Sequence, residues 1–309
     1  MIRRLGSCTL TLVVCMLLAC GGSDSPPGNS NNPPPGPGPQ KPRIAVVVLE
    51  NTDYANVIGN PAMPWLNQLA QANALATNYY ANTHPSIGNY FMMTTGQLVT
   101  NDDSADIVVS VDNIVRQFAK DGKTWRAYAD ALPSPGYLGG NTGTYLKRHN
   151  PFAYFSDVVN SSAQAANIVP FPQLESDLSS GSLPDFLFIV PDAVHDAHSC
   201  PDSQPDCTLD ERLALADTWL RENVAPLLSS PTFSNGLLVV TFDEASNLDS
   251  THGGGRIVTV VAGSAARKVH ESDEFYQHEN LLSLIGDLLN LSSVPGAGQG
   301  ANPMTDVRQ

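Results

Sequence analysis

Three short apolar runs in this chain each end in side chains able to bind a cation or move a proton. Residues 44–49 are followed by Glu50 and Asn51, residues 186–190 by Asp192, His195, Asp196 and His198, and residues 237–242 by Asp243 and Glu244. Each run is rich in β-branched or aromatic residues and five or six long, which predicts a buried strand. A fourth run, 257–262, has the same character. Between them lie segments with helical spacing: 65–76, 111–120, a helix over 208–227 that opens on Thr208 with Glu211 three residues on, and 281–289. Strands alternating with helices predict an α/β fold, a central and mostly parallel sheet with helices on both faces. In such sheets, sites form where strands end.

Asp and Asn also end strands as turn formers and caps. Two oxygen-rich pairs, Glu50-Asn51 and Asp243-Glu244, at two strand ends favour a divalent cation site instead, with Mg, Ca, Mn or Zn all chemically suitable and one ion expected. Ser86 follows Pro85 and opens a small-residue segment ending at Gly96. As a bare N-cap it would satisfy backbone N–H groups. At a helix start that holds an anion, the same hydroxyl can attack it, the more so beside a metal that lowers its pKa. Of the seven histidines, His198 sits two residues after Asp196, placed to orient or deprotonate water. His149 follows Lys147 and Arg148, a positive cluster suited to an anionic substrate. His278 precedes the last helix, and His252 lies in a glycine-rich stretch where flexibility explains it as well as chemistry does.

Charge narrows the partners. With 16 Lys and Arg against 30 Asp and Glu, net −14, the chain is poorly matched to a nucleic-acid backbone. The amino terminus suggests the compartment: Arg3 and Arg4 precede an apolar run about half the length that spans a bilayer. Leu17-Leu18-Ala19-Cys20 is similar to a bacterial lipobox, with Cys20 the residue that would be lipidated. Residues 1–19 are thus expected to be a lipoprotein signal peptide, and 20–42, dominated by Gly, Pro, Ser and Asn, a flexible tether. Residues 43–309 would be one folded domain, exported and held at a membrane by the lipid. Cys200 and Cys207, seven residues apart in a polar loop, then suggest a local structural disulfide.

Six motifs in order carry a family resemblance: Glu50-Asn51-Thr52-Asp53-Tyr54; Thr83-His84-Pro85-Ser86 with Asn89-Tyr90; 147–152; Asp196-Ala197-His198; Thr241-Phe242-Asp243-Glu244; and Tyr276-Gln277-His278. Together, over about residues 44–306, they resemble the phosphoesterase family of secreted acid phosphatases and bacterial phospholipases C, nearest its short acid phosphatases and phosphatidylinositol-3-phosphatases. The resemblance implies an alkaline-phosphatase-like fold with Ser86 as nucleophile and Glu50, Asn51, Asp243 and Glu244 as metal ligands. It also implies catalytic roles for Asp196, His198, His149 and His278, with Lys147, Arg148, Asn89 and Thr83 toward the substrate. The chain departs from the family at Asp192 and His195, where close relatives often carry Asn, and His252 has no firm equivalent; these three rank lower. A sulfatase reading fails because Pro85 precedes Ser86 and no Cys/Ser-x-Pro-x-Arg arginine follows.

The expected activity is hydrolysis of phosphate monoesters through a phosphoserine, on a small phosphorylated substrate or a phospholipid headgroup. A phospholipase C-type phosphodiesterase and a non-catalytic lipoprotein that binds phosphorylated ligands are the alternatives.

Overall fold

The β-branched run at the start of the folded region explains the centre of the molecule. In the computed structural model, which describes residues 41–309, Arg43–Leu49 forms strand β1, buried from Ile44 onward on both faces. It pairs in parallel with β5 (Phe186–Val190) on one side and β6 (Gly236–Phe242) on the other, with Ile44 level with both Phe186 and Leu237. The remaining strands are β2 (Ala74–Ala76), β3 (Trp125–Ala129), β4 (Ile168–Pro170), β7 (Thr259–Gly263) and β8 (His270–Ser272). They complete one eight-stranded sheet in the order β4-β3-β5-β1-β6-β7-β2-β8. Only β7 runs against the rest, antiparallel to both β6 and β2. Helices flank the sheet: Pro64–Ala72 packs with Leu209–Trp219, and Ser86–Thr95 with His278–Leu288. The α/β class and the mostly parallel sheet match the expectation.

Several boundaries differ, each for a local reason. The helix expected over 65–76 stops at Ala72. Asn73 leaves the helical region, its amide donates back to the Leu69 carbonyl at 3.0 Å, and Ala74–Ala76 continues as a strand because β7 and β8 are there to pair with it. The helix expected from 111 begins at Ile114, where the Asn113 side chain accepts from the Arg116 N–H. The Thr208–Glu211 capping box is present. Its helix widens into a π turn over Leu220–Val224 ahead of Pro226, which has no N–H to offer the carbonyl four residues back. The last helix starts earlier than expected, at His278, and the fourth strand later, at Thr259.

Cys200 and Cys207 form the disulfide, with Cα atoms 5.6 Å apart. Cys20, the signal segment 1–19 and the tether up to residue 40 lie outside the described residues. Among the described residues no helix is long and apolar enough to cross a membrane.

Candidate active site

Parallel neighbours end on the same edge of a sheet, so β5, β1 and β6 deliver their terminal residues side by side. Backbone bonds lock that edge: Glu50 N–H donates to the Asp196 carbonyl at 2.7 Å, and Asp243 N–H to the Leu49 carbonyl at 2.9 Å. Asn51 takes a left-handed conformation, φ 46°, which asparagine tolerates better than most residues. That turn aims its N–H at Asp243 Oδ1, 3.1 Å, and its side-chain amide at Glu244 Oε1, 2.7 Å.

The helix Ser86–Thr95 enters over this edge. Ser86 Oγ donates to Glu50 Oε2 at 3.0 Å, and Tyr90, one turn on, donates its hydroxyl to Glu50 Oε1. Asn89 braces the approach: its Oδ1 accepts the N–H groups of Asn82 and Thr83, and its amide donates to the Thr83 carbonyl at 2.8 Å and Glu244 Oε2 at 3.2 Å. The Thr83 hydroxyl is also engaged internally, donating to the His84 carbonyl and accepting from Asn101. His84 Nδ1 stands 3.2 Å from Glu244 Oε2, and its Nε2 meets the Asp249 carbonyl at 3.0 Å.

Histidines close the other sides. His149 lies between two carboxylates, 3.4 Å from Glu50 Oε1 and 3.6 Å from Asp196 Oδ2, with its ring stacked on Tyr90. His278 Nε2 meets the Asp243 carbonyl at 2.7 Å, and its Nδ1 lies 3.3 Å from the Tyr79 hydroxyl. His198 is joined to Asp196 through its backbone N–H, which donates to Asp196 Oδ1 at 2.9 Å.

Four carboxyl groups share this buried space: Glu50, Asp196, Asp243 and Glu244 are each at most 1% exposed. Burial disfavours their charged forms and their neighbours' charges add to it. Glu50 is held well above the usual range by burial, then by Asp243 and Asp196. Asp196 is raised chiefly by burial. Asp243 is pushed up to about 6 by burial, and Glu244 to about 9 by burial and then by Asp243. The histidines move the opposite way: burial depresses His149 and His198, with Arg148 adding to both, and lowers His278 to about 4. Asn51 Oδ1, Asp196 Oδ2 and Asp243 Oδ2 are buried with no hydrogen-bond donor. Orphaned oxygens among crowded carboxylates fit a hard or borderline divalent cation. Glu50, His149 and Asp196 also bring potential ligand atoms within 4.8 Å of one another.

The geometry therefore joins Glu50, Asn51, Ser86, Asn89, His149, Asp196, Asp243, Glu244 and His278 in one linked cluster. The three lower-ranked residues, Asp192, His195 and His252, fall outside this linked cluster. His195 pairs with Asp192 at 2.7 Å and with Asp130 at 3.4 Å, its ring stacked on Trp219. His252 packs its ring against Tyr80 and Phe275. Lys147 and Arg148 are each paired with an acid, Asp106 at 2.9 Å and Asp103 at 3.4 Å. Sequence reasoning gave no role to Tyr90 or His84, although both sit inside the motif built on Ser86; their signal was adjacency to a candidate nucleophile.

The chain's fold is like that of alkaline phosphatase superfamily proteins. Its fold is similar to a superfamily member from Vibrio parahaemolyticus (14% identity, TM-score 0.55, 82% of this chain and 67% of that one). It is also similar to a lipoteichoic acid synthase from Listeria monocytogenes (13% identity, TM-score 0.56, 81% and 72%). The chain belongs to the Phosphoesterase family, whose model matches residues 60–292. Among curated relatives, a probable acid phosphatase of Kluyveromyces lactis is 31% identical over 79% of this chain and 57% of its own length. An acid phosphatase of Aspergillus fumigatus is 31% identical over 84% and 57%. A phosphatidylinositol-3-phosphatase of Mycobacterium tuberculosis is 29% identical over 85% and 82%. The chain thus spans little more than half the length of the two fungal relatives.

Proposed function

We propose that the chain hydrolyses phosphate monoesters, acid-phosphatase fashion, through a phosphoserine on Ser86. The observation that carries this reading is the placement of Ser86: its hydroxyl starts a ten-residue helix and bonds a buried carboxylate beside unsatisfied oxygens. A helix start favours an anion, and a hydroxyl bonded to Glu50 has a proton acceptor at hand. Glu50, Asn51, Asp243 and Glu244 would hold one divalent cation. Bound there, it would supply positive charge that lowers the pKa of the Ser86 hydroxyl and neutralises phosphate oxygens.

Ser86 Oγ then bonds phosphorus as the ester P–O bond breaks, and its proton passes by way of Glu50 to the departing oxygen, which leaves as the alcohol. Water near Asp196 and His198 gives up a proton to one of them and attacks phosphorus as the Ser86 Oγ–P bond breaks; that proton is returned to Ser86 Oγ, which restores the hydroxyl, and phosphate leaves. His149, kept neutral by burial, stands between Glu50 and Asp196 and has one N–H to offer to one of them. The substrate would be a small phosphorylated molecule or a phospholipid headgroup, a reading supported by the mycobacterial relative. Lipidation of Cys20 would hold the exported enzyme at a membrane.

The test is hydrolysis of p-nitrophenyl phosphate against bis-p-nitrophenyl phosphate from pH 4 to 9 by the full chain and by Ser86→Ala. Monoester turnover that falls at least ~10³-fold in the variant supports the reading. Preference for the diester would replace it with phosphodiesterase chemistry, and binding without turnover would leave a phosphate-binding lipoprotein.

A further inference from the structure

We propose that Asp103 is a resident stand-in for the substrate's phosphate, which binds by displacing this carboxylate from the anion corner of the site. The proposal rests on the phosphoesterase reading of Ser86.

The corner is made of two donors. One is the Ile87 N–H, next in the chain after Ser86 and in the first turn of its helix, where unpaired N–H groups attract negative charge. The other is the Arg148 guanidinium, whose side chain is 19% exposed and adjoins His149 in sequence. Asp103 bridges them. Its Oδ1 accepts from Ile87 N–H at 3.0 Å, and its Oδ2 lies 3.4 Å from Arg148 Nε. Two oxygens of one anion on a helix-start N–H and a guanidinium is the pattern that two phosphoryl oxygens would make. The contact to Arg148 is loose: the buried Arg148 Nε has no hydrogen-bond partner. A tetrahedral dianion offers more charge and more oxygens than this carboxylate, so phosphate has the means to replace it.

Asp103 lies on the segment that joins the Ser86 helix to the next one. Residues 97–108 contain no helix or strand. The segment crosses the start of the Ser86 helix and is held by Asn101, whose amide donates to Thr83 Oγ1 at 2.8 Å. Gly88 leaves room for that crossing, since a Cβ there would sit 2.3 Å from Asn101 Oδ1. Farther along, Asp106 takes Lys147 at 2.9 Å. Both cations expected to meet the substrate are therefore neutralised by one acidic strap. Asp103 itself is 32% exposed on its side chain, so it can turn to solvent without being stranded in the interior.

The test compares the full chain with Asp103→Asn and with Asp102→Asn, a neighbouring acid bonded to Ser104. KM and kcat are measured with p-nitrophenyl phosphate and Ki with inorganic phosphate. Asp103→Asn is expected to lower KM and the phosphate Ki together, by three- to tenfold, with kcat within twofold of the parent. Asp102→Asn, which removes the same charge nearby, should shift Ki less than twofold. A lower kcat with KM and Ki unchanged or raised overturns the proposal and makes Asp103 a brace for the helix. An equal fall in Ki from Asp102→Asn overturns it in favour of general acidity. Should the parent show no turnover, the phosphoesterase reading fails separately. Calorimetric phosphate binding to Ser86→Ala with and without Asp103→Asn still decides the matter, and equal affinities overturn the stand-in.

Discussion

Tyr90 donates its hydroxyl to Glu50 Oε1 while Ser86, one turn earlier on the same helix, donates to the other oxygen of that carboxylate. Both carboxylate oxygens of Glu50 thus accept one hydrogen bond from a single helix, which fixes the side chain and leaves each oxygen a lone pair. A hydrogen bond to a charged or polarised group is worth about 1.5–3 kcal/mol. Tyr90→Phe is therefore expected to lower kcat on p-nitrophenyl phosphate about tenfold with little change in KM, and to weaken divalent-cation binding. Unchanged turnover and cation affinity would reduce the phenol to a packing role.

Removal of the cation should be felt twice. Exhaustive dialysis against chelator is expected to abolish turnover, which returns with one of Mg, Ca, Mn or Zn. Melting temperature should rise on return as well, because an ion that binds only the folded chain stabilises it by about 2.7 kcal/mol at a hundredfold excess over Kd. Full activity in protein shown by elemental analysis to hold no divalent ion would rule this out.

His195 gives a pH prediction away from the cluster. Asp130 and then Asp192 hold its imidazolium, raising its pKa to about 9. In the unfolded chain it returns to about 6.5. A raised pKa means a stabilisation that is complete below about 6.5 and disappears as pH climbs through about 9. Urea unfolding of the parent and His195→Asn should differ most near pH 6 and converge above pH 10. A gap that ignores pH would mean that stacking on Trp219, and not charge, secures this histidine.

Gly253 has φ 110°, and a Cβ there would lie 2.0 Å from the Asn82 carbonyl. Its loop backs the strand-like approach to Ser86 and offers the Asp249 carbonyl to His84. Gly253→Ala should cost about 2 kcal/mol of stability through strain and displaced backbone and lower kcat. Retention of the parental melting curve would contradict that.

The sheet's centre was legible because its strands are continuous apolar runs. Val46, Phe188 and Val239 belong to strands buried on both faces, so their segments have no helical stripe to confuse them with. The acids after those runs were legible for the same reason, since a charged pair right after a buried strand stands out. Ala74–Ala76 was not. Three residues, Ala-Leu-Ala, after a helical pattern are too few to carry a period of their own, and only pairing with Val261 and Ser272 across the chain makes them a strand. The Asp103 bridge was equally hidden, because an acid in a polar loop shows nothing of the arginine 45 residues later that it meets. The Tyr90 bond needed the helix's one-turn offset from Ser86 and the position of β1 together.

The side chains on this sheet edge come from far apart in the chain, from Glu50 to His278. His278, which meets the Asp243 carbonyl, opens the final long helix. Contacts between such distant residues form only after large loops close. A nascent chain that has not yet released residues 278–288 lacks a wall of the cluster. The cluster would then be complete only once residues 278–288 have packed beside the helix that carries Ser86, and divalent-cation binding would report on that packing more strictly than secondary-structure content does.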